Sequence, residues 1–486
     1  MRRARSFLTR KRVVIPILAG ACLCVGLLPL ITAGSFIILP AVRSRVFDGL
    51  LGALWRWDAV HLALEPHRHP TRPADRKDPR PLEEQARTME RDLDTVFTVD
   101  DGRLFLISTP PVPLGDVCLW QGVFAAEAGL RWTLDPSAEN LRRARRALEG
   151  LDRLLSHGKP LARSVYPAGL ETEPPGSWYH RAGAWQWKED ASVDSAAGWV
   201  FGAVLLRELV PPLRRKTDAM IVRFGRELKE AGYILRNSDG SPTRFSRVGG
   251  RAFNSPPGVL ATMAALKVAS RADPAGPWAA EHRRFVAQGQ DRWGAYGSGP
   301  LLWDNKTTNH NIAFLSLTAA LVTEDAPERK AVYARGLVRL ARLTGKMGNS
   351  FWIYLSDWAL THAGMGDPAD EGRVAAFMAD REGRWRLAKV PMLEWEYPAC
   401  KIMRETVNSR RTDLWTGLWP FSGMRALKQP LPLWQRPPAD FVWQRSAYSL
   451  DDWPGYRREP PQRFSPLDFL AAYRLGLAVG ALRPGE

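Results

Sequence analysis

SVDSAAGWVFGAVLLREL, residues 192–209, carries small and apolar side chains nearly all the way round once its first turn is passed. A surface helix would keep one polar face, so this pattern predicts a helix buried on most sides. Five further stretches read the same way: VCLWQGVFAAEAGLRW at 117–132, PGVLATMAALKVA at 257–269, TNHNIAFLSLTAALV at 308–322, SFWIYLSDWALTHAG at 350–364 and PLDFLAAYRLGLAVGAL at 466–482. Between them lie charged amphipathic stretches at 81–97, 137–156, 214–235, 277–293, 326–345 and 367–380. In the second of these Leu141, Ala144, Leu148, Leu151 and Leu155 form a three-to-four-residue stripe opposite Arg and Glu. Ser137 ahead of Glu139 and Asp367 ahead of Asp370 read as helix starts. Strict alternation of six apolar with six charged helices is what a closed two-layer ring requires. The expected fold is therefore all-α, an (α/α)6 toroid of six inner and six outer helices, with short hairpins at Asp101-Gly102 and Asp239-Gly240.

Ahead of this region, residues 13–42 form a run of thirty uncharged residues. That exceeds the roughly 20 needed to span a bilayer and the about 7 to 15 of a signal-peptide core, so it reads as a transmembrane helix. Six basic groups lie in residues 1–12 against Arg43 and Arg45 after the run, which predicts a cytoplasmic tail. The remainder is then expected in the periplasm or outside the cell, held to the inner membrane by a single pass. Residues 43–80 read as an amphipathic segment followed by a Pro- and charge-rich linker, in which His67 and His69 are solvated. Residues 81–486 are the toroid domain, with a Trp- and Pro-rich insertion at 390–464.

Composition narrows the function classes. The 486 residues are 45% hydrophobic and 24% charged, which is the balance of a folded protein. Of four cysteines, Cys22 and Cys24 sit in the apolar run, leaving Cys118 and Cys400, too few for a disulfide scaffold and without zinc spacing. Of the net charge of +17, residues 1–12 carry +6 and the rest is spread thinly along the chain. It predicts a dilute basic surface and no nucleic-acid partner. No phosphate loop, dinucleotide fingerprint, HExxH or GxSxG occurs, and no cofactor or metal is expected.

DVCLWQGVFAAEAGLRW at 116–132, EDASVDSAAGWVFGAVLL at 189–206, the NSDGSPTRF turn at 237–245 and SPLDFLAAYRLG at 465–476 resemble the six-hairpin glycosidase-like (α/α) toroids. The resemblance runs from about Pro81 to the C-terminus and is strongest to membrane-attached members. It implies that substrate sits where the inner helices begin. Free amides and partial positive potential at helix N-termini, with several loops converging, make that end a physically sensible site. The polar residues expected there are Asp116 and Trp120; Tyr179, His180, Arg181, Glu189, Asp190 and Asp194; Arg251 and Asn254; Trp303, Asp304, Asn305, Asn309 and His310; and Asn349, Trp352 and Asp357.

Glycoside hydrolysis needs two carboxyl groups across the scissile bond. Asp116 and Asp194 are the expected pair, with Asp190 as a substitute because residues four apart share a helical face; N-capping is the alternative role for Asp116 and Asp190. Twenty Trp residues, many beside these polar groups, offer flat faces to sugar rings, Trp120, Trp303 and Trp352 among them. Glu394 and Glu396 are lesser acid candidates. A second chemistry is uronate β-elimination with Tyr179 or His310 as base, and with His180, Arg181, Asn254 or Asn309 neutralising the carboxylate. The third expectation is a noncatalytic toroid that binds glycan or a partner in cell-envelope assembly.

Overall fold

A computed structural model describes residues 80–109, 117–157, 160–170, 179–249, 255–298, 307–365, 372–393 and 463–485. In chain order the helices are α1 (Leu82–Thr95), α2 (Val117–Leu134), α3 (Ala138–Ser156), α4 (Val193–Leu209), α5 (Arg214–Glu230), α6 (Pro256–Ala272) and α7 (Trp278–Ala287). They continue as α8 (Gln290–Gly297), α9 (Thr307–Thr323), α10 (Pro327–Thr344), α11 (Ser350–His362), α12 (Arg373–Ala379), α13 (Arg381–Leu393) and α14 (Leu467–Ala478). The described chain is thus mostly helical, with small sheets at its edges.

The apolar stretches become α2, α4, α6, α9, α11 and α14. In α4 every residue is buried except Asp194 and Glu208, and α2 is buried without interruption from Val117 to Leu130. The charged stretches become helices with one wet face: on α3 Ala144, Leu148, Leu151 and Leu155 are buried, and the Ser137 hydroxyl accepts the Asn140 amide at the N-cap. Trp199 is wholly buried, its ring tilted against Phe224 at 4.7 Å and its indole N–H donated to the Leu151 carbonyl at 3.0 Å. Full burial of such a side chain contributes about 1.5–3 kcal/mol, and the donated bond removes the cost of the indole dipole.

Contacts among the buried helices close on themselves. α2 packs on α4, α4 on α6, α6 on α9, α9 on α11, α11 on α14, and α14 back on α2, while α4 also touches α9. The charged helices lie over the seams: α3 on α2 and α4, α5 on α4 and α6, α10 on α9 and α11, α13 on α11, and α1 on α14. The tightest seam is glycine-made. A Cβ on Gly122 would lie 1.8 Å from the Gly198 carbonyl oxygen, and one on Gly202 2.4 Å from the Gly122 carbonyl oxygen. Only residues without a side chain allow this backbone approach. Leu119 faces Gly198, and the Cys118 Sγ lies 3.5 Å from the Ser195 carbonyl, so α2 and α4 run parallel with their N-termini at one end. Val193 meets Gly258 at the starts of α4 and α6, and Trp352 meets Asn311 near the starts of α11 and α9.

Four sheets decorate the helices. The hairpins expected at Asp101-Gly102 and Asp239-Gly240 are β1 (Thr98–Val99) with β2 (Leu104–Phe105), and β7 (Ile234–Arg236) with β8 (Pro242–Arg247). Two sheets escape the sequence reading. One orders β4 (Ser164–Pro167), β6 (Trp185–Lys188) and β5 (Tyr179–Ala182), with β6 central; the other pairs β3 (Ser108–Thr109) with β9 (Arg463–Phe464). The second sheet ties the last described segment to the first, alongside ion pairs of Arg463 with Asp92 and of Arg474 with Glu90.

Some expected boundaries move. The stretch at 277–293 is two helices, broken where Gly289 takes φ +70°. The helix begun at Arg214 ends at Glu230, because Gly232 and Tyr233 are left-handed and turn the chain into β7. Residues 390–393, expected in the insertion, still belong to α13. The run at 13–42 expected to cross the membrane, the segment at 43–80 up to residue 79 and most of the insertion lie outside the described residues. Among the described residues no single helix is long and apolar enough to cross a membrane; α4 with α5 and the turn between them passes only as a pair bent by 116°.

Candidate functional site

The loop and turn at the start of α4 bring together Glu189, Asp190 and Asp194 of the expected residues. At α4 the start is fixed by a capping box, in which the Ser192 hydroxyl accepts the Ser195 amide and the Ser195 hydroxyl accepts the Ser192 amide at 3.2 Å. This makes Ser192 the cap and displaces Asp190 from that role. Asp194 then falls in the first turn, not beyond it, half-buried at the positive end of the helix dipole.

Asp190 has left the helix altogether, with φ +59°, so it and Asp194 do not share a helical face. Its backbone amide donates to Asn237 Oδ1 at 3.0 Å, and its Oδ1 accepts the Arg244 amide at 2.9 Å. Its Oδ2 lies 3.4 Å from Arg244 and 3.8 Å from Arg163. Glu189 acts alongside, its Oε2 accepting both the amide and the hydroxyl of Ser238 and lying 3.3 Å from His180 Nε2. The two acids fasten the β7–β8 hairpin to the loop ahead of α4, and Asp190 is a positioning residue.

Tyr179, His180 and Arg181 form the edge strand β5. His180 stacks on Trp187 at 5.3 Å, Lys188 lies 4.9 Å from the Tyr179 ring centroid, and Arg181 is exposed. The face that carries His180, Trp185 and Trp187 packs on α3, where Arg153 covers Trp185 at 4.1 Å and His157 abuts Trp187. Trp120 is buried and stacked on Phe105 at 6.3 Å, the place of a core residue.

His310 and Trp352 come together at the starts of α9 and α11, edge to face at 6.1 Å. Trp352 is itself buried, stacked on Phe314, and donates its indole N–H to Asn311 Oδ1 at 3.1 Å. His310 is fully buried, and among the described residues neither ring nitrogen has a hydrogen-bond partner. Burial, reinforced by the Arg339 guanidinium, pushes its pKa down to about 3 and keeps the imidazole neutral. Asn349 caps α11 by accepting the Trp352 amide, and Asn309 is half-buried in the first turn of α9. Asp357 is sequestered by Arg384 and by the Trp385 indole at 2.6 Å, and burial raises its pKa.

Asp116, Arg251, Asn254, Trp303, Asp304, Asn305, Glu394 and Glu396 lie outside the described residues, as do His67, His69 and Cys400. Cys118 is a free thiol, buried, with its pKa raised by that burial. The sequence reading passed over Asp468, a buried carboxylate in the first turn of α14; the SPLDF pattern of a helix start was the available signal. Among the described residues no three His, Cys, Asp or Glu side chains are placed to hold a metal ion. Comparison with protein-family models, with curated proteins and with solved structures finds no match to this chain.

Proposed function

We propose that the closed cycle of buried helices is an (α/α)6 toroid whose N-terminal end hydrolyses a glycan, with Asp194 as one catalytic carboxyl group and Asp116 as the other. In this reading residues 13–42 anchor the chain to the inner membrane and the toroid lies outside the cytoplasm. The observation that carries it is the place of Asp194. It is the one residue of α4 before Glu208 that is not buried, and it sits where parallel inner helices present their amides. Asp190, the rival acid, is bound into the hairpin anchor.

The test is mass spectrometry of neutral and uronate-containing oligosaccharides incubated with the detergent-solubilised full chain in heavy-oxygen water. Hydrolysis transfers one labelled oxygen to the products, and Asp194→Asn lowers turnover by about 10²–10⁴-fold with the fold intact. Full activity of that variant refutes the assignment. Unsaturated products without label would instead support elimination with Tyr179 or His310. Glycan retention without cleavage would support the binding reading.

A further inference from the structure

Large apolar side chains are almost all interior, and among the described residues only Leu134 and Phe245 are exposed. Phe245, at 61% exposure, stands on β8 between two arginines. The Arg244 side chain is 72% exposed, and Arg247 is exposed with no ion-pair partner among the described residues. A protruding phenyl ring with an arginine on either side of it along the strand adds nothing to a core. It is what a surface needs to stack on a sugar face while donating paired hydrogen bonds to a carboxylate.

The arm is fixed in place. Asp190 holds the Arg244 and Asn237 ends of the hairpin, Glu189 holds Ser238, and Val248 directly after β8 packs against Gly258 at the start of α6. Arg244 is thereby held at Asp190, four residues before Asp194 in the chain, and the Arg247 carbonyl lies beside Gly258, which also meets Val193. We infer that the β7–β8 hairpin is a specificity element for an acidic glycan, with Phe245 stacking on a ring of the chain and Arg247, aided by Arg244, binding carboxylate groups as the glycan leaves the site. This names the substrate class for the proposed function and rests on that reading for the location of the site.

Binding by the full chain in neutral detergent is measured by calorimetry against oligogalacturonate, hyaluronan and alginate oligosaccharides and against the carboxyl-reduced form of each. At least one acidic probe binds more tightly than its reduced form. Arg247→Ala and Phe245→Ala each weaken that probe by about tenfold, the worth of one charge-assisted contact, with Arg247→Ala leaving the reduced form unchanged. Equal binding of every acidic and reduced pair overturns the inference, as does an acidic preference that survives both substitutions. Arginine-dependent binding to phosphatidylglycerol vesicles with no acidic glycan preference also overturns it and makes the hairpin a lipid contact. The two readings separate cleanly. Preferential binding without cleavage removes the hydrolase and keeps the hairpin, whereas Asp194-dependent cleavage indifferent to Phe245 and Arg247 does the reverse.

Discussion

Replacing Gly122 with alanine tests whether the α2–α4 seam governs the fold. The added Cβ would lie 1.8 Å from the Gly198 carbonyl oxygen and 2.3 Å from its carbonyl carbon, against the 3.4 Å at which ordinary contact begins. The obstacle is backbone on a buried helix, so no rotamer can relieve it. The two helices must part by more than about 1 Å, a gap that forfeits at least a quarter to a half of each contact along the seam. Overpacking of this kind costs about 1–3 kcal/mol and more where the backbone is the wall. Gly122→Ala is therefore expected to lower stability by about 3 kcal/mol or more. Gly345 supplies the control: its ideal Cβ meets nothing within 4 Å and its φ of −53° suits any residue. Gly345→Ala is expected to be neutral or to stabilise by about 0.4–1 kcal/mol through the unfolded chain. Urea unfolding of both variants at unchanged slope is the assay. A Gly122→Ala loss below about 1 kcal/mol, or equal effects at the two sites, would refute the packing argument.

Acid sensitivity follows from two buried histidines. The pKa of His310 is pushed down to about 3 and that of His282 to about 4, in each case chiefly by burial, so the unfolded chain binds more protons than the folded one below about pH 6.5. Stability is complete above that pH and falls on acidification, by about 2 kcal/mol per histidine between pH 6.5 and 5. Urea unfolding at the two pH values should show His310→Gln losing half of this dependence, and an unaltered slope would count against it. Asp190→Asn weakens the contacts to Arg244 and Arg163, and hydrogen exchange of the Arg244 amide should rise while the core amides of α4 stay protected. Glu324 is driven down to about 2 even though its burial opposes this, because Arg329, Lys267 and the amides of Asp325 and Ala326 all donate to it. Glu324→Gln removes the charge that faces two cations, Arg329 and Lys267, and should cost about 3–5 kcal/mol, read as a drop in unfolding midpoint.

The helices were legible because burial leaves a mark on every turn. The unbroken apolar circumference of 192–209 and the Leu148–Leu155 stripe translate directly into α4 and α3. Gly122, Gly198 and Gly202 could be read as small residues in a buried helix, but not as the seam itself, since that depends on which helix lies opposite. The β3–β9 pair joins segments at opposite ends of the described chain, a contact that local pattern does not encode. WQWK at 185–188 does alternate, with Trp185 and Trp187 toward α3 and Lys188 beside Tyr179 on the other face, and this was the available strand signal there. At the site, residue types were readable and their duties were not. Asp190 looks like a helix residue by its spacing from Asp194 until its left-handed backbone and the Asn237 contact are seen.

Those duties separate the acids of this protein into groups. Glu127 is buried between α2, α3 and α14 with Arg143 at 3.9 Å and Arg474 at 3.7 Å, so it serves the closure of the helix cycle. Glu324 serves the start of α10, Asp357 the seam between α11 and α13, and Glu189 with Asp190 the hairpin. Cationic side chains or hydrogen-bond donors lie against each of them. A catalytic acid must instead reach both solvent and substrate and must exchange a proton during the reaction. Asp194, half-buried in the first turn of α4, is the acid to which the proposal assigns that part. Glu189 and Asp190 act on the very loop that leads into its helix, so weakening their contacts should change where Asp194 stands before it changes whether the protein folds.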